Sequence, residues 1–562
     1  MVMTMKYILS FLCIGIIFFT GCEPPKSDPG NQSEETTMLN EQIAKFAPTE
    51  LKYDKSALDD RQQKVVEKIY RAAKIMDEIF LDQVYSKNNE IKADLLSQDN
   101  EEAKPLLEFF DIMFGPFDRL EHDKPFIGTE EKPLGANFYP EDMTKEEFEN
   151  WIKEHPDDEK AFTSEFTFIR REGHNLIAIP YNEYYKDQLN EASKYLLEAA
   201  EYADNQSVKD YLTSRASALL SNDYFESDMK WMDMKDHSIE VVIGPYEVYE
   251  DKLFNYKASF ECFLTIKDPV ESEKLDVFKS YLRDMEIHLP IPDAYKNFER
   301  GSESPLAVVN EIYTSGDTKA GIQTIAFNLP NDERVRKAKG SKKVMLRNVT
   351  EAKFNKLLMP IAEIVLDPKQ LKYVTFDAFF THSLMHEMSH GIGPGFIVVD
   401  GRETEVKKEL KETYSTMEEC KADILGVYNN IFMIEKGVFP RTFERETLVT
   451  ALAGAFRSVR FGIGEAHGGG NAIIYNFLME KGGFEYDEKT EKVKVNFKKV
   501  NTAFEELGNL LLMIQARGDY EGAKEMMEKY KVISPSMKTL IEKLSVLPVD
   551  IKPVYEIEQM YK

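Results

Sequence analysis

Residues 385–391 read Met-His-Glu-Met-Ser-His-Gly, and residues 417–423 read Met-Glu-Glu-Cys-Lys-Ala-Asp. On a helix His386 and His390 lie one turn apart on the same face, with Glu387 beside them. Two imidazoles so placed can share a metal ion, and the acid between them can take a proton from a water held there. A tetrahedral catalytic zinc takes three protein ligands and leaves one position open, so the third donor must come from elsewhere. Glu418 and Glu419 are the candidates. Glu419 is assigned as ligand because Asp423 stands one turn further along its face and can accept the free N–H of a ligand histidine. Glu418 follows Ser415 at the spacing of a capping box and is placed with Asp423 among the groups around the ligands. His382 extends the row of histidines, but His382 and His390 are separated by roughly 12 Å of helix rise, too far to share an ion. Glu387 selects the pair His386 and His390, leaving His382 to the core or to the surroundings of the ligands.

The elements that must position these groups follow from periodicity. A helix is expected from about residue 375 to 390, stopped by Gly391 with Pro394 beyond. Apolar residues recur at helical spacing over 58–96 and 184–234, and the chain from 354 to about 547 is predominantly helical. Residues 240–243 and 258–266 are rich in β-branched and aromatic residues and read as strands, as do 322–329 and 343–349. Lys6, the apolar run 7–19 and the closing Thr20-Gly21-Cys22 resemble the signal and lipobox of a bacterial lipoprotein, with Cys22 lipidated and residues 23–45 a flexible tether. That implies a cell-envelope location, facing the periplasm or the outer surface, with the lipid at Cys22 as the membrane contact. Of Cys13, Cys22, Cys262 and Cys420, the last two are expected as buried free thiols. Lys+Arg 71 against Asp+Glu 98 gives a net charge of -27, which excludes a nucleic-acid partner held by phosphate contacts.

With these residues in view, the chain resembles the dipeptidyl peptidase III family of zinc exopeptidases. Glu418-Glu419-Cys420-Lys421-Ala422-Asp423 matches the family's E-E-x-[KR]-A-[ED] motif. Ile243-Gly244 followed by Glu247, Tyr249, Asp251 and Phe260-Glu261 resembles its cleft strands. Asn328-Leu329-Pro330-Asn331 and Glu465-Ala466-His467 resemble two further segments, and the likeness covers about residues 240–483. It implies one zinc per chain on His386, His390 and Glu419, Glu387 as base, and His467 as a hydrogen-bond donor to the transition state. It also implies that Glu240, Asn328 and Asn331 hold the α-ammonium of an oligopeptide from which a dipeptide is released.

Four departures mark this chain. Its metal motif has five residues where most members have six, Val242 stands at the position of a catalytic tyrosine, and Asn471 replaces a peptide-holding arginine. Finally, Gly468-Gly469-Gly470 suggests a mobile loop after His467. The alternatives are a zinc hydrolase of different bond specificity and a peptide-binding surface lipoprotein with negligible turnover. The expected fold is α+β and mainly helical, in two lobes flanking a cleft. Residues 46–265, with 310–355 returning, form a mixed lobe containing a small β-barrel-like sheet. Residues 266–309 and 356–562 form a mainly helical zinc-binding lobe.

Overall fold

The computed structural model describes residues 37–98, 100–298 and 306–561. The signal over 1–22, Cys22 and most of the expected tether lie outside the described residues. Residues 37–43 of that tether are helical, because Leu39 and Ile43 pack on a small core formed by Phe46, Phe109, Ile112 and Met113.

The first lobe begins with strand β1 (Phe46–Leu51) and the long helix α1 (Asp60–Val84). Asp59 and Gln62 close a reciprocal capping box at the start of α1. The inward face of α1 buries Val65, Ile69, Ala72, Met76 and Ile79, the helical spacing read from the sequence. Helices α2 (Lys186–Tyr202) and α3 (Gln206–Ser221) follow. The central sheet contains β2 (Ile239–Glu247), β3 (Ser259–Lys267), β4 (Leu306–Gly316), β5 (Ala326–Leu329) and β6 (Lys342–Leu346), in the order β2-β3-β4-β6-β5. Only the β4–β6 pairing is parallel. Among the described residues β2 and β5 each pair on one side only, so the sheet is open, where the sequence reading has a barrel-like one. β2 and β3 are buried along nearly their whole length, which explains why they read as apolar runs without alternation.

The second lobe stacks helices α4 (Phe376–Ser389), α5 (Tyr414–Glu435), α6 (Phe443–Val459), α7 (Ala466–Lys481) and α8 (Val500–Arg517). Its core is built from Met417, Ile424, Leu452, Ile473 and Leu507 with their neighbours. A third apolar cluster joins the lobes: Leu275, Phe278 and Met285 meet Val308 and Met345 of the sheet and Phe380, Leu384 and Leu425 of the helices. The assignment of 356–562 to the helical lobe needs one correction. Strand β7 (Asp550–Tyr555) pairs in parallel with β1, and Ile551, Tyr555 and Ile557 join the first lobe's core. Parallel pairing of distant strands leaves no local signal, so periodicity could not show it.

Candidate metal centre

Thr375 caps α4 by accepting from the backbone N–H of Ala378, and His390 ends the helix. α4 lies against α5 so that the two sequence motifs face each other. His386 Nε2 stands 3.2 Å from His390 Nε2 and 3.3 Å from Glu419 Oε2, and His390 Nε2 stands 3.7 Å from that same oxygen. A tetrahedral ion with bonds of about 2.05 Å sets its ligands about 3.3 Å apart. The triangle therefore matches zinc in donor type and in spacing. Glu419 Oε2 is excluded from water and has no hydrogen-bond partner, an orphaned acceptor that a cation at the centre of the triangle would satisfy.

The remaining nitrogens are held from behind. Asp423 Oδ1 lies 2.7 Å from His386 Nδ1, and Glu418 Oε1 lies 3.0 Å from His390 Nδ1. These contacts direct each Nε2 at the same point. Glu418 is not a capping residue: Thr413 is the N-cap of α5, without a side-chain cap bond. Glu418 instead bonds Lys421 at 2.8 Å and accepts from Gln515 at 2.9 Å. Burial works against its charge, but Lys421 and His390 outweigh it and bring its pKa down to about 2. Burial likewise opposes a charge on His386, yet Asp423 and Glu419 raise its pKa to about 10. A carboxylate environment that favours a proton on this imidazole also favours a divalent cation beside it. Asp423 is held well below the usual range, the histidines around it outweighing its burial.

His382 makes its contact elsewhere, 3.1 Å from the Asp423 carbonyl, packed against Gly426. His467, near the start of α7, lies 3.2 Å from Glu419 Oε2 and its side chain is 62% exposed, so it remains available to a ligand. The run 468–470 is not a mobile loop but the first turn of α7. A Cβ on Gly468 would lie 2.1 Å from the Gly462 carbonyl oxygen, and one on Gly470 would lie 3.0 Å from the Cys420 backbone nitrogen. The glycines let α7 approach α5 closely enough to bring His467 to Glu419. Asn471 is committed within the site, donating to Asp423 Oδ2 at 2.7 Å and to the His467 carbonyl at 3.0 Å.

Of the three expected ammonium-binding residues, Glu240 and Asn331 are engaged within the first lobe, and Asn328 pairs in register with Lys343. Glu240 is 1% exposed and accepts from Trp231 Nε1 at 2.6 Å, with His237 Nε2 at 2.7 Å and Lys342 Nζ at 3.2 Å. Its charge is already met inside the first lobe, chiefly by Lys342, which overcomes burial and brings its pKa down to about 2. Asn331 is tied to the Tyr246 carbonyl and to Arg336, whereas Asn328 is exposed on β5. Val242 is buried, 1% exposed, in the first lobe's core. Cys262 and Cys420 are both buried and free, as expected.

One residue escaped the sequence reading. Lys343 on β6 donates to the Glu387 carbonyl at 2.7 Å, and its Nζ lies 3.4 Å from Glu387 Oε2. Strand alternation sends Lys342 to Glu240 and Lys343 to the opposite face, so the Lys-Lys pair inside a strand was the available signal. The cleft beside the donors has a volume of about 880 Å³ and is lined by His386, Glu387, His467 and Asn471 from the helical lobe and by residues 322–326 from the other.

A model of peptidase family M49 matches residues 156–405. The chain is similar to the solved structure of DPP III from Caldithrix abyssi, at 65% identity and TM-score 0.91 over 93% of this chain and 100% of that one. It is similar also to dipeptidyl-peptidase III from Corallococcus sp. strain EGB, at 42% identity and TM-score 0.78 over 94% of this chain and 98% of that one. A protein of Arabidopsis thaliana named Nudix hydrolase 3 is 38% identical over 584 residues, spanning 94% of this chain and 75% of that protein. The Nudix name stays with the plant protein. Identity of 65% over the whole of a solved relative, joined to the family-model match, shows that the chain belongs to peptidase family M49, the dipeptidyl peptidase III family of metallopeptidases.

Proposed function

We propose that this metallopeptidase holds one zinc ion through His386, His390 and Glu419 and releases dipeptides from the N-terminus of oligopeptides. The observation that carries the metal assignment is the donor triangle, with its orphaned Glu419 oxygen and a carboxylate behind each imidazole. When bound, the ion supplies Lewis acidity, polarising a peptide carbonyl and acidifying a water. Glu387 accepts the proton of the attacking water and passes it to the leaving amine. Lys343, reaching across from the sheet, holds the Glu387 backbone carbonyl and keeps the base at the cleft wall. His467 donates to the oxyanion that develops as the carbonyl carbon becomes tetrahedral.

Dipeptide length is supported by the names of the two solved relatives, both dipeptidyl peptidase III. Glu240 is not assigned to the substrate ammonium. Asn328, exposed and paired in register with Lys343, is the group left to accept from it beside the base. The test is mass-spectrometric identification of products from a free and an N-acetylated pentapeptide, with the zinc content of the same sample. One zinc per chain with dipeptide released from the free peptide alone is expected. Equal cleavage of both peptides removes the dipeptidyl assignment, and bound zinc without cleavage of either would leave a binding protein. From residues 1–22 alone we also propose export and lipid anchoring at Cys22, checked by incorporation of a fatty-acid analogue and its loss in Cys22→Ser.

A further inference from the structure

Away from the metal donors the cleft runs to a second wall lined by Arg119, Gln323, Lys353, Arg457 and Asp550. Two of its cations are neutralised: Lys353 by Asp550 at 2.9 Å and Arg119 by Glu250 at 2.9 Å. Arg457 is not. Among the described residues it makes no hydrogen bond or ion pair; its guanidinium lies 5.9 Å from the ring centre of Phe379, and its Nε is shut off from water without an acceptor. The acids whose fields reach it are Asp550 and Asp423. Both are engaged elsewhere, Asp550 by Lys353 and the backbone of Gln323 and Ile551, Asp423 by His386 and Asn471. Arg119 Nη2, on the same wall, is also water-excluded and without an acceptor. Arg457 is half-buried, with its Nε shut off from water while its Nη atoms face the cleft; a guanidinium keeps its charge at any physiological pH, so one held partly desolvated and unpaired in a cleft wall is set to receive an anion.

We propose that Arg457 receives a carboxylate of the bound peptide, either the C-terminal carboxylate of a short oligopeptide or an acidic side chain at the same depth. The inference rests on the peptidase reading above. Phe379, beneath Arg457, precedes His386 on α4 by seven residues, about 10 Å of helix. An extended peptide advances about 3.3 Å per residue, so the carboxylate belongs about three residues beyond the scissile bond. With two residues on the amino side, the best substrate is a pentapeptide with a free C-terminus.

The experiment uses the zinc-loaded full chain and three pentapeptides of one sequence: the free acid, its C-terminal amide, and the amide carrying glutamate at the fifth position. Wild type should prefer the acid to the plain amide by about 10-fold or more in kcat/KM, the size of one charge-assisted contact. The glutamyl amide then reports whether a side chain serves as well as the terminus. Arg457→Gln should bring the acid-to-amide ratio close to one, and Arg457→Lys should leave it intermediate, since an ammonium cannot form the two-pronged contact. A ratio taken within each variant is insensitive to the fraction folded. Calorimetric affinities of the same peptides for Glu387→Gln read the preference without turnover. If nothing is cleaved yet the affinities still favour a carboxylate, the peptidase reading fails and this inference stands. Equal affinity of Glu387→Gln for acid, amide and glutamyl amide, or a preference that survives Arg457→Gln, overturns it.

Discussion

At the scale of single residues the centre depends on which atoms have alternatives. A three-ligand site has no spare donor, so His386→Ala, His390→Ala and Glu419→Ala should each lose most of the bound zinc. His382→Ala should retain it, because the His382 ring bonds the Asp423 backbone carbonyl and not a donor atom of the centre. Zinc content by mass spectrometry on the four purified variants decides this, and equal loss in His382→Ala would reverse the ligand assignment. Glu387→Gln preserves size and leaves the donors untouched while removing the proton acceptor. It should keep its zinc and lose roughly 100-fold or more of kcat. A near-wild-type rate in that variant would show that another group takes the proton.

At the scale of elements the site is a contact between helices. α4 offers the histidines, α5 the acids, and α7 brings His467 and Asn471 against both. The seat of α7 on the turn before it depends on Gly468, where an added Cβ would meet the Gly462 backbone oxygen, which cannot swing aside. Gly468→Ala should therefore cost about 1–3 kcal/mol of stability, as overpacking does. It should also lower kcat by shifting His467 from Glu419, while zinc content stays near wild type because no donor lies on α7. Unchanged melting temperature and kcat would mean that the helix end accommodates the methyl and that the approach is looser than the structure shows.

At the scale of the whole molecule the chain's last strand secures its first lobe. Removing residues 549–561 strips Ile551, Tyr555 and Ile557 from the core, at about 1.5–3 kcal/mol each, and leaves Lys353 buried without Asp550. The truncated chain should melt about 10 °C lower or more; a loss of only a degree or two would show that β7 is dispensable. The same return buries Glu311, which accepts from the Tyr555 hydroxyl at 2.7 Å. Burial raises the Glu311 pKa to about 7, against the lowering effect of that hydrogen bond. In the unfolded chain the carboxyl titrates near pH 4.3, so the folded state binds the extra proton between there and 7. Its contribution is complete below about pH 4.3 and lost as pH rises through 7, about 4 kcal/mol in all. Glu311→Gln should flatten the fall in melting temperature between pH 5 and 8, and an equal slope in both proteins would mean that other groups cause it.

Patterns confined to a few turns were legible in the sequence. His386, Glu387 and His390 on one helix and Glu419 with Asp423 on another follow from the period of 3.6 that local sterics impose, and the strands around Val241 and Leu264 follow from their β-branched and aromatic content. The family resemblance carried the same residues further, to His467. Which partner each side chain meets was decided by packing between distant segments. Glu240 reads as a cleft acid in one dimension, but Lys342, Trp231 and His237 converge on it in the folded lobe. Lys343 looks like any strand lysine until the lobes close and place its Nζ on Glu387. The glycines at 468–470 suggest mobility from composition, and only the neighbouring helix shows that they make room. The pairing of β1 with β7 has no signature in either strand, because a parallel ladder is specified by what lies beside it. The sequence by itself determined the chemistry available to this protein, since ligand type and spacing are local. Tertiary structure decided which charges are already neutralised and which, like that of Arg457, still wait for a partner, because neutralisation depends on distances that only the folded chain sets.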